Sequence, residues 1–201
     1  MAQLAAIHRR HIEASSRLRN LIADAASLTA EHQRLLGELV VIRLFSLTAW
    51  LLEATAARLL SGVPYLDGTK PTLLYPSRNV AASLANMKKH GRKKPLPYLK
   101  WNSPTDIVNN VKFLLDPNDH FLTALGVHAA FIEEMRHVRN HIAHNTSSTG
   151  THFRAIVKAY YGAYVNSVTP GVLLVSTRHN PRIINQYLTK STVAVSDLLC
   201  A

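Results

Sequence analysis

The residues able to do chemistry crowd into one short stretch. Arg136, His137, Arg139, Asn140, His141 and His144 fall within nine positions, just before the polar run Asn145 to Gly150. A guanidinium grips a phosphate through a planar fork of donors, and an imidazole titrates close enough to neutral pH to move protons. Metal-free cleavage of RNA needs three roles that groups of these kinds can fill. One group takes the proton of the 2′-hydroxyl, another neutralises the pentavalent phosphorane, and a third protonates the leaving 5′-oxygen. The same stretch allows a zinc reading. His137, His141 and His144 follow i, i+4, i+7 spacing, with Glu133 one turn earlier, although no His-Glu-x-x-His pattern completes it. The bland reading is a solvated helix end, where cationic side chains suit the dipole and Glu133–His137 is an ordinary i,i+4 pair.

A long amphipathic helix must carry these groups. Ala124, His128, Phe131, Met135, Val138 and Ile142 keep the 4-3 spacing of a buried seam. Arg139 lies about 40° from Met135 at the edge of that seam, so its charge must be paired, partly desolvated or turned to another subunit. Arg139 and His144 stand about 140° apart on a straight helix. Either the helix breaks near Ala143 or two chains complete one site.

The hexapeptide Arg139-Asn140-His141-Ile142-Ala143-His144 resembles the Rx4-6H signature of the HEPN superfamily, with Asn directly after the Arg and the motif at a long helix's end. The resemblance implies an all-α, HEPN-like helical bundle with a long central helix, in one domain over residues 1–201. It implies a metal-independent endoribonuclease with no cofactor, acting as a homodimer with a composite site. In that frame His144 is the acid/base, Arg139 the transition-state clamp and Asn140 a support, leaving a 2′,3′-cyclic phosphate and a 5′-OH. Family members also include non-catalytic domains that bind RNA, nucleotides or proteins. A toxin–antitoxin or phage-defence role, with an acidic antitoxin or regulator as partner, is a further implication. HEPN toxins paired with nucleotidyltransferase antitoxins carry Tyr two residues after the motif His, where this chain has Thr146.

Composition agrees with a polyanionic partner. Lys and Arg outnumber Asp and Glu by 23 to 12, giving a formal net charge of +11 that makes RNA, DNA or an acidic protein natural partners. A second basic stretch, Lys88, Lys89, Arg92, Lys93 and Lys94, leads into Tyr98, Lys100 and Trp101. Cations interleaved with aromatics suit a phosphate backbone and stacked bases, and Arg136 and His141 join them as candidate RNA contacts. The alternative for this stretch is a solvated loop whose aromatics enter the core. The lone Cys200 forms no internal disulfide, which suits a reducing cytoplasm. No apolar signal core follows Met1, and Arg43, Glu53 and Arg58 interrupt the most apolar stretch, so neither export nor membrane insertion is expected.

The remaining elements follow from periodicity and punctuation. The pattern predicts a helix over 3–30, with His11 on its buried stripe, and a central helix over 32–60. An irregular segment spans 61–76, and Ser77 is placed to cap a short helix running to His90. Ser103-Pro104 and Asp116-Pro117 read as caps for helices 104–115 and 118–144. Thr149 or Thr151 would cap a helix at 152–166. Residues 168–177 are β-branched and predict a short strand or extended arm, before a last helix at 181–199.

Overall fold

The computed structural model describes residues 2–201, and among them the chain is all-α, with no strand. In order the helices are α1 (Ala2–Asp24), α2 (Ala30–Leu60), α3 (Val80–Lys89), α4 (Pro104–Val111), α5 (His120–His144), α6 (Ser147–Tyr161), α7 (Pro170–Val175) and α8 (Ile183–Leu199). The chain divides into two compact units. The first comprises Met1–Ile12, Leu47–Ala130 and Thr192–Ala201, the second Glu13–Ser46 and Phe131–Ser191. Helices α1, α2, α5 and α8 each contribute a segment to both.

In the first unit Leu51, Leu52, Leu59 and Leu60 of α2 are buried, as are Met87, Trp101, Ile107 and Phe121. His11 is fully buried, and its imidazole is held down to about 4, first by burial and then by nearby His8. A buried carboxylate fixes the start of α5. Asp119 accepts from the Tyr65 hydroxyl, from the Thr72 amide at 2.7 Å and from the Phe121 amide at 3.0 Å. The Tyr65 hydroxyl is pushed far above its ordinary range, chiefly by burial and then by that hydrogen bond. Pro117 therefore lies ahead of the helix, which begins at His120 and not at 118.

The second unit packs Val40, Val41, Leu44 and Phe45 of α2 against Met135 and Val138 of α5, Phe153 and Val157 of α6, Leu173 and Leu174 of α7, and Tyr187 of α8. One carboxylate serves three of these helices. Glu134 accepts from Tyr160 at 2.8 Å and from Tyr187 at 2.7 Å. By length and composition α2 is apolar enough to cross a membrane, and 44% of its most apolar window is buried within the fold. Leu35 and Leu39 of α2 are large apolar side chains left more than half exposed.

Other local readings change as well. Residues 168–177 hold no strand. Thr169 accepts from the Val172 amide, Pro170 occupies the first turn, and Leu173 and Leu174 are buried, so cap chemistry and burial outweigh β-branching. Ser77 is buried and accepts from Asn86, while Asn79 caps α3. Thr146, rather than Thr149 or Thr151, caps α6, with Thr149 completing a reciprocal capping box. The last helix starts at Ile183, two residues beyond Pro181.

Candidate functional site

Helix α5 continues unbroken to His144, and Asn145 turns the chain with a left-handed φ of 43° while its amide closes on the His141 carbonyl at 3.0 Å. Of the two alternatives for joining Arg139 and His144, a break near Ala143 is absent. Arg139 and His144 thus keep their wide angular separation, and among the described residues no hydrogen bond joins them.

Each motif side chain has its own surroundings. Arg139 is half-buried. Its guanidinium carbon sits 5.9 Å from the Phe45 ring, Nη1 donates to Asn140 Oδ1 at 3.0 Å, and Nε is buried with no hydrogen-bond partner. Among the described residues no carboxylate forms an ion pair with it. Asn140 is oriented by that bond. His144 is exposed at the last position of α5, beside exposed Ala143. Arg136 is already engaged: Nε donates to Glu133 Oε2 at 2.9 Å and Nη2 to Glu133 Oε1. Hydrogen bonding to Arg136 holds the Glu133 carboxyl below its ordinary range, against the opposing effect of burial.

Helix α6 closes over the other edge. The His137 ring stacks on His152 with centroids 4.1 Å apart, and its Nε2 lies 3.5 Å from Glu133. His141 stacks on Phe153 at 4.7 Å, and its Nδ1 shares a hydrogen bond of 3.2 Å with the Thr149 hydroxyl. Both imidazoles are pushed below their ordinary range, first by burial. Arg136 and His152 add to the shift at His137, and Arg154 adds to it at His141. Each shift favours the neutral ring, which can still hydrogen-bond. The zinc reading loses its convergence. His137 and His141 face separate ring partners, and among the described residues no group of three or more His, Cys, Asp or Glu is placed to hold a metal.

A cleft of about 400 Å³ opens beside the motif, lined by His141, Asn145, Arg154, Tyr164, Asn166 and Glu38 among others. Sequence reasoning missed Glu38, His152, Arg154 and Asn166, which lie outside the hexapeptide and meet it only through packing. The capping signal at Thr146 could have found His152, because it starts α6 early enough to lay that residue along α5.

The basic stretch belongs to the first unit, the motif to the second. Lys88 donates to the Pro97 carbonyl at 3.1 Å, and Arg92 donates to the carbonyls of Met87 at 3.3 Å and Asn109 at 2.8 Å. Trp101 is core, whereas Tyr98 is 63% exposed. Lys89, Lys93, Lys94 and Lys100 are exposed cations. The stretch thus divides between solvated charge and structural use.

No family model, curated protein or solved structure matches the chain.

Proposed function

We propose that the chain is a metal-independent endoribonuclease that works as a homodimer, with Arg139 and His144 of two copies meeting at one scissile phosphate. The observation that carries this reading is Arg139. A half-buried guanidinium without a carboxylate has lost part of its hydration and gained no counter-charge, a costly state that an arriving phosphate relieves. The Asn140 bond and the Phe45 ring fix its direction before substrate arrives, which is what transition-state stabilisation requires.

In the reaction a basic imidazole removes the 2′-hydroxyl proton, the 2′-oxygen attacks phosphorus, and the bond to the 5′-oxygen breaks as that oxygen is protonated. His144 supplies proton transfer from its exposed position, and Arg139 neutralises the phosphorane. The neighbouring cleft offers Asn145, Asn166 and the Tyr164 ring to an adjoining base. The separation of Arg139 and His144 within one chain favours a second reading, a domain that binds RNA without cutting it.

One experiment separates the two. Purified protein is incubated with RNA in excess EDTA beside His144→Ala and Arg139→Ala, with product ends and oligomeric state measured. Cleavage leaving 2′,3′-cyclic phosphate, lost in either variant but restored when the two variants are mixed, supports the composite site. RNA retention by a folded dimer without cleavage supports the binding reading.

A further inference from the structure

A cavity of about 680 Å³ in the second unit lies away from the motif, between the end of α1 and the start of α8. Its lining includes Arg19, Thr177, His179, Asn180, Arg182 and Asn185, and no Asp or Glu among the described residues. Two arginines, a histidine, two asparagines and a threonine thus share the lining of one concavity without a carboxylate to balance them. Two of these groups are held in place. Arg182 Nη1 donates to Gln33 Oε1 at 3.3 Å, and the His179 ring meets the rings of Tyr160 and Tyr161 edge-on, each at 5.4 Å. Arg182 also stands just ahead of the first residue of α8, where the helix dipole favours negative charge.

We propose that this cavity is a phosphate-binding site, taking a phosphomonoester or diphosphate group through Arg19 and Arg182, with the amides and hydroxyl completing the shell. The physical reason is the sign of the lining. Like charges gathered in a concavity repel one another, and the repulsion is relieved when a multivalent anion binds between them. A planar guanidinium fork matches phosphate oxygens two at a time, which solvated lysines such as Lys93 and Lys94 cannot reproduce. The volume exceeds that of one phosphate and admits a nucleotide-sized ligand or a stretch of RNA backbone. The assignment is independent of catalysis at Arg139 and His144.

The test uses the full chain and inorganic pyrophosphate, titrated by calorimetry and by thermal unfolding at matched ionic strength. Saturable binding is expected, with a rise in Tm that sodium chloride does not reproduce. Arg19→Gln with Arg182→Gln should weaken binding about tenfold or more, whereas Lys93→Gln with Lys94→Gln should leave it unchanged. A His144→Ala protein should bind normally, which separates this site from the nuclease reading. A non-saturating response, or equal loss in the lysine pair, would overturn the proposal. So would unchanged binding in a folded arginine double variant. Competition distinguishes the source of the phosphate: displacement of pyrophosphate by a 2′-O-methyl octanucleotide points to RNA backbone, and its failure to compete points to a small phosphorylated molecule.

Discussion

Arg92 and Arg139 are both half-buried arginines, one in each unit, and their surroundings differ in kind. Arg92 donates to two backbone carbonyls and so ties the loop after α3 to the end of α4. Arg139 meets an aromatic face and one amide oxygen, and its Nε stays unpartnered. Carbonyl acceptors satisfy a guanidinium's hydrogens in a fixed geometry, so the first residue is mortar. The second keeps charge outstanding, which is the condition for receiving an anion. On the proposed reading, what separates a structural cation from a phosphate-receiving one is how its donors are spent.

Breaking this comparison begins with activity. Arg139→Ala or His144→Ala is expected to lower RNA cleavage by about 100-fold or more, the range for loss of a transition-state donor or a general acid/base. Arg92→Ala should leave the cleavage rate per folded molecule within about twofold. Equal losses in all three would erase the distinction.

A contrast between buried histidines comes next in size. His11 has its pKa lowered from 6.5 to about 4, so the unfolded chain binds the proton more readily between those values. Its contribution is fully present above pH 6.5 and is lost as pH falls toward 4. The full span is about 3 kcal/mol. Urea denaturation at pH 7.5, 5.5 and 4.5 should show that loss, and His11→Met should flatten the profile. His137 and His141 are shifted in the same direction, so some slope should survive in that variant.

Stability alone then sharpens the two arginines. Arg92→Ala should cost about 1–3 kcal/mol, because two part-buried carbonyls lose their donor. Arg139→Met should change stability by less than about 1 kcal/mol in either direction, since it removes an unbalanced charge and keeps the packing on Phe45. Chemical denaturation of both variants checks the pair. A loss of several kcal/mol in Arg139→Met would make that residue structural.

Much of the helical order was legible because periodicity and caps act locally. Ser103 with Pro104 marked α4, and the seam through Met135 and Val138 marked the buried side of α5. What stayed hidden depends on other elements. The β-branched run at 168–177 reads as extended until Thr169 and Pro170 are seen to start a helix whose leucines are buried. The start of α5 is set by Asp119, whose role needs Tyr65 and Thr72 from far upstream. The same limit governs the site. Arg139 at the seam's edge was visible from angle alone, but Phe45 beneath it was not. Nor could a count of charges between 88 and 94 show that Arg92 is consumed by carbonyls and Trp101 by the core.

Between His144, where α5 stops, and Ser147, where α6 starts, stand only Asn145 and Thr146. That joint works as a ruler. It sets the register that lays His152 on His137 and Phe153 on His141. One residue added to a helix turns everything beyond it by about 100° and advances it by about 1.5 Å. A single insertion or deletion at the joint would therefore unpair both stacks at once, whereas a substitution such as Asn145→Gly keeps the spacing and suits the left-handed turn. At this point in the chain, count matters more than identity.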